Sequence, residues 1–138
     1  MNDTAAPSER VPDFELPNVA AGPDPFSLSA AAADPDVDAV VLLFQRDYHC
    51  GNCRNQVQAI AERYEEFEAL NATVASVLPE PVERVREWQA SYDLPFALLA
   101  DPDTDVSDAY EQPVRFGILG SLHDLVGRMP VATVLDVR

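Results

Sequence analysis

The chain has no lysine. Its nine basic residues are all arginine and stand against 24 Asp and Glu, for a formal net charge of −15 over 138 residues. That sign argues against nucleic acid and anionic membrane as partners, since both are bound through basic patches. Aspartate outnumbers glutamate, and a large negative charge keeps a protein soluble and monomeric in concentrated salt. A halophilic protein is expected. A GC-rich gene would also favour arginine over lysine, but it leaves the aspartate excess unexplained. No apolar run reaches the roughly 20 residues that a membrane span needs. The opening "MNDTAAPSER" has neither a basic region nor an apolar one, so no signal peptide is expected. The expected setting is cytoplasmic. Histidine and cysteine are scarce, at two each.

Apolar residues make up 47% of the chain, enough for a core. The length suits one domain of roughly 100–200 residues, expected to span 1–138 with a flexible tail over 1–10. "VPDFELPNVAAGPDPFSL" reads as two short extended pieces around a Gly-Pro turn. Ser27 or Ser29 can cap a short alanine helix, which "DPD" at 34–36 ends. "AVVLLFQ", 39–45, is a continuous apolar run, the pattern of a strand buried on both faces. Val57, Ile60, Ala61, Tyr64 and Phe67 recur at helical spacing and predict one amphipathic helix over 51–69, with a solvated acidic face around Glu65. A strand over 71–78 follows. Pro81 suits the first turn of the next helix, with Val82, Val85 and Tyr92 on its buried face. Then come a strand over 94–100, a short helix capped by Thr104, an irregular stretch over 111–128 and a strand over 129–137. Strands alternating with helices predict βαβ units and a mostly parallel sheet.

Both cysteines lie in "DYHCGNCRNQ", 47–56, where the first buried strand turns into a helix. Open α/β sheets keep their functional sites at that edge. Cys50 at the first turn faces unpaired N–H groups and the positive end of the helix dipole. A thiolate there is stabilised, and the thiol pKa falls below its free value of ~8.5. Arg46, Arg54 and His49 would add to this, and Asp47 opposes it. Cys53, one turn on, is expected to be the better buried, so Cys50 attacks and Cys53 resolves. Two other readings compete. Structural zinc takes four ligands, and beside the cysteines there are only His49, badly spaced next to Cys50, and His123. Two inert buried thiols are the remaining alternative. A reducing cytosol disfavours a permanent structural disulfide.

These segments resemble the thioredoxin-fold superfamily, in its AhpC/TSA, peroxiredoxin-like branch. "VPDFELPNV" with "FSLS" is similar to that branch's N-terminal hairpin and first helix. "VVLLFQRDYHCGNCRNQV" resembles its cysteine strand and turn. "LPFALLADPDTDVSDAYE" is similar to its proline-phenylalanine strand, aspartate turn and tyrosine-bearing helix. "MPVATVLDV" matches the strand opened by the thioredoxin cis-proline. The resemblance implies a three-layer thioredoxin-like α/β sandwich around a central mixed, mostly parallel sheet. On that resemblance the family's closing hairpin strand and helix are expected to be missing, leaving a sheet edge beside 131–137 where a second chain could pair.

The chain departs from peroxiredoxins in their Pro-x-x-x-Thr-x-x-Cys motif. Leu43 stands at the Pro position, Asp47 at the Thr position, and Pro130 where the peroxide-activating Arg would be, with Arg128 close by. Against thioredoxin, His49 replaces the Trp and Gly51 the Pro. The expected function is therefore thiol–disulfide exchange through Cys50 and Cys53. Pro130, in cis, would shape the substrate groove, and Arg46 would aim its side chain at the site. The alternatives are a thiol-dependent peroxidase and a non-catalytic redox-sensing or partner-binding module. Substrates would be a disulfide-bearing protein, a small thiol or a peroxide, with a reductase or thiol as electron donor. No cofactor and no metal are expected. Trp88 is read as a packing residue and His123 as solvent-facing.

Overall fold

The computed structural model describes residues 12–110 and 132–137. The expected tail over 1–10, the irregular stretch 111–128 and Pro130 lie outside the described residues. The N-terminal hairpin pairs β1 (Glu15–Leu16) antiparallel with β2 (Phe26–Ser27). Ser27 caps helix α1 (Leu28–Ala33): its Oγ accepts the Ala30 N–H at 3.2 Å.

The main sheet runs β5-β4-β3-β6. Strands β3 (Ala39–Phe44), β4 (Ala72–Leu78) and β5 (Ala97–Ala100) are parallel, while β6 (Ala132–Asp136) is antiparallel to β3. Val41 lies opposite Val74 on one side and Val134 on the other. A strand paired on both edges and covered on both faces has no use for polar side chains, hence the unbroken apolar run.

Strand parity sorts that run into two cores. Val41 and Leu43 face the layer containing Cys50, Cys53, Val57, Phe67, Val85 and Trp88. Val40, Leu42 and Phe44 face the layer containing Phe14, Phe26, Leu28, Leu99 and Tyr110. Each fully buried aliphatic side chain contributes roughly 1.5–3 kcal/mol. Helices α2 (Gly51–Glu62), α3 (Tyr64–Ala69) and α4 (Val82–Tyr92) bring the first layer; the hairpin, α1 and α5 (Asp105–Ala109) bring the second. The result is the expected thioredoxin-like sandwich.

Asn18 ties the N-terminal segment to β5. Its Oδ1 accepts the Leu98 N–H at 3.1 Å and the Ala20 N–H at 3.0 Å, and its Nδ2 donates to the carbonyls of Ala21 and Pro23. Beside it, the Val19 N–H donates to Leu98 and the Ala100 N–H to Pro17.

Local expectations need correction. The helix over 51–69 is two helices, broken at Arg63, which leaves helical geometry at φ −108, ψ 17. No glycine or proline marks that break. Pro81 is the N-cap of α4 rather than its first helical residue; the expected inner face holds, with Val85 and Trp88 buried and Val82 and Tyr92 partly buried against the same core. Thr104 makes no side-chain cap; it sits in left-handed geometry at φ 59. Asp101 holds the start of α5 instead, its Oδ2 accepting the Ser107 N–H and hydroxyl, both at 2.8 Å. Among the described residues no helix is long and apolar enough to cross a membrane.

Candidate active site

Strand β3 delivers the chain to the sheet's carboxyl edge, and α2 starts seven residues later. Gln45 continues the strand pairing by donating its N–H to Val77, and its side chain donates to Ser76 Oγ at 2.7 Å. The turn from Arg46 to His49 then sets Cys50 at the N-cap of α2 in extended geometry. There Cys50 Sγ accepts the Cys53 N–H at 3.1 Å, the hydrogen bond usually made by a capping oxygen. Cys53 Sγ accepts the Arg46 N–H at 3.3 Å. The two cysteines are joined as a disulfide within this first turn, Cα to Cα 5.2 Å.

Both cysteines are 3% exposed, so the expected contrast between an open Cys50 and a buried Cys53 does not hold in the oxidised pair. Both reach one groove of about 380 Å³. Phe44 and Pro79 give it apolar walls, Gln45 and Asn52 bring amides, and α5 and its approach bring Thr104, Ser107 and Asp108. The groove thus brings β3, the turn and α5 together around the two sulfurs.

Arg46 lines the groove, but its side chain is 75% exposed and its Nε is paired with Asp47 at 3.5 Å. What it sends to the cysteines is its backbone N–H. Asp47 is occupied locally, its Oδ1 accepting the His49 N–H at 2.8 Å. His49 is exposed, with its ring edge-on to Tyr48. Leu43 is fully buried in the core. Pro130, Arg128 and His123 lie outside the described residues. Among the described residues no group of three or more His, Cys, Asp or Glu is placed to hold a metal ion.

Sequence reasoning missed the groove's polar lining. Gln45 carried one usable signal: an amide closing an otherwise apolar buried strand. Ser107 and Asp108 carried none, because their position depends on how α5 docks.

The family model described as "AhpC/TSA family" matches residues 7–117. No curated protein matches the chain in sequence. Among solved structures, peroxidoxin BcpB from Mycobacterium tuberculosis is similar at 25% identity and a TM-score of 0.67, over 93% of this chain and 77% of that one. The bacterioferritin comigratory protein of Xanthomonas campestris, whose structures concern alkyl peroxide reduction, is similar at 20% identity and 0.62, over 80% and 67%. A Chlorobium tepidum structure described as thiol:disulfide interchange protein DsbE is similar at 20% identity and 0.64, over 82% and 73%.

Proposed function

The chain belongs to the AhpC/TSA family, a redox-active Cys50–Cys53 pair is its chemical centre, and we propose that it exchanges disulfides rather than reducing peroxides. One observation carries this reading. The two sulfurs are already bonded within one helical turn at the groove, so resolution needs no rearrangement of the chain.

Reduced Cys50 is the nucleophile. The Cys53 N–H, aimed at its sulfur, favours the thiolate. The thiolate attacks one sulfur of the substrate disulfide, forming a mixed disulfide and releasing the other half as a thiolate. Cys53 then loses its proton and attacks Cys50 Sγ. The internal disulfide forms, the second substrate thiolate leaves, and two electrons have passed to the substrate. The Arg46 N–H at Cys53 Sγ stabilises the Cys53 thiolate that makes this second attack. A thiol reductant or a reductase restores the dithiol, and we place this cycle in the cytoplasm.

Peroxide reduction would ask for more. Charge develops on the leaving oxygen, and losing one donor to such an oxygen typically costs roughly 2.7–4 kcal/mol. Leu43 has no polar group and is buried. The Asp47 carboxylate offers no donor and opposes a neighbouring anion.

The test is rapid-mixing oxidation of the reduced protein in concentrated salt, by a neutral disulfide and by hydrogen peroxide. Disulfide turnover should exceed peroxide turnover. Cys50→Ser should abolish it, and Cys53→Ser should trap a mixed disulfide. Fast, saturable oxidation by peroxide would reverse the ranking.

A further inference from the structure

Tyr48, two residues before Cys50, is fastened from four directions. Its carbonyl oxygen accepts Arg54 Nη2 at 2.6 Å, Arg54 Nε at 3.1 Å and Trp88 Nε1 at 3.1 Å. Its N–H donates to Glu80 Oε2 at 3.1 Å and its hydroxyl to Glu87 Oε1 at 2.7 Å. Its ring lies against the Arg54 guanidinium at 4.9 Å and the Arg84 guanidinium at 4.7 Å. Such convergence on one loop residue is far more than a connection needs, since loop backbone is ordinarily left to water.

The place of these bonds gives them a consequence. Arg54 follows Cys53 directly, so its two-pronged bond to Tyr48 closes a ring around the Cys50–Cys53 turn. Trp88 anchors that ring to α4. Arg54 is itself held, with Nη1 donating to the Tyr92 hydroxyl at 3.1 Å.

We propose that Arg54 and Trp88 are positioning residues for the cysteine pair: by gripping the Tyr48 carbonyl they keep the turn in one shape when the disulfide is cut. This rests on the exchange reading above. In the dithiol, no covalent bond holds the sulfurs together. Their tendency to re-form the disulfide then depends on how often the turn presents them to each other. Without the grip, the turn samples wider shapes and the disulfide is less favoured. The grip acts through hydrogen bonds to a neutral carbonyl, so it does not depend on the charge of Arg54 alone.

The test is the equilibrium of the full chain with reduced and oxidised glutathione, in salt that keeps every variant folded by circular dichroism. Trp88→Phe keeps a ring and removes the N–H. Arg54→Lys keeps the charge and removes the fork. Each should move the equilibrium toward the dithiol by about tenfold, which for a two-electron couple is about 30 mV. Wild-type behaviour of both variants would overturn the proposal. So would an Arg54→Lys variant matching wild type while Arg54→Met shifts, because charge on the thiolate would then be the cause. A wild type that equilibrates with glutathione yet is oxidised far faster by hydrogen peroxide than by a neutral disulfide would sink the exchange reading and leave this inference standing.

Discussion

Replacing Asn18 with alanine is expected to cost about 3 kcal/mol of folding stability and to leave the chemistry of the folded molecule intact. Asn18 is 5% exposed and its side chain makes four hydrogen bonds. The carbonyls of Ala21 and Pro23 belong to exposed residues, so water can replace the lost amide there. The Leu98 N–H cannot be served that way, since Leu98 is fully buried in β5. An orphaned buried donor costs about 1–3 kcal/mol, and the half-buried Ala20 N–H adds about 1 kcal/mol. Against the 5–15 kcal/mol typical of a domain, roughly 3 kcal/mol is a large share. Urea unfolding followed by circular dichroism in concentrated salt measures it, with the slope expected to stay constant. A loss under about 1 kcal/mol would show that the segment over 17–19 is not held to β5 through Asn18, and the reasoning would fail.

Other expectations concern the groove and the second core. Asp101→Ala frees the start of α5, which carries Ser107 and Asp108 into the groove; turnover of a neutral disulfide should fall several-fold, and unchanged kinetics would detach α5 from the site. With Asp47 occupying Arg46 and with Asp108 in the wall, cystamine should react faster than 3,3′-dithiodipropionate, with 2-hydroxyethyl disulfide between them. The order should flatten as salt rises, and the reverse order would refute it. Burial, with the nearby Asp13 carboxylate, pushes the Tyr110 hydroxyl well above its ordinary range, and burial raises Tyr64 too. The folded state therefore keeps protons that the unfolded chain gives up. Stability is full below about pH 10 and is lost as pH rises toward the folded values. Tyr110→Phe should flatten that alkaline loss in a pH series of urea midpoints; an unchanged slope would refute the assignment.

Much of this architecture can be read in the chain, because its signals are local. The run over 39–45 announces a strand buried on both faces, and the cysteine spacing places a redox pair at its exit. Ser27 caps α1 through a three-residue pattern. What resists reading depends on distant partners. The break at Arg63 has no sequence breaker; on its far side the Arg63 guanidinium meets Glu66 at 2.8 Å. Trp88 looked like a packing residue among charges, and it is buried, but nothing near it announces that its N–H reaches a carbonyl 40 positions earlier. Arg46 misled for a related reason. Its backbone is where the pattern put it, while its side chain found the adjacent carboxylate. Arg54, read as one cation among three near the cysteines, is held among aromatic rings, Tyr48 from the turn itself and Trp88 and Tyr92 from α4.

Trp88 is also the chain's one tryptophan. It shares a core layer with both cysteines, stands edge-on to Tyr92 and donates its N–H beside the redox turn. The protein therefore carries its own optical probe, and that probe watches one face of the sheet. Its emission should change when the cysteine pair is reduced, without any label. An unfolding curve read by that emission follows the cysteine layer, whereas circular dichroism averages over the whole backbone. Where the two curves coincide, both layers come apart together. Where they separate, the gap measures how far the redox face can loosen while the hairpin face stays closed.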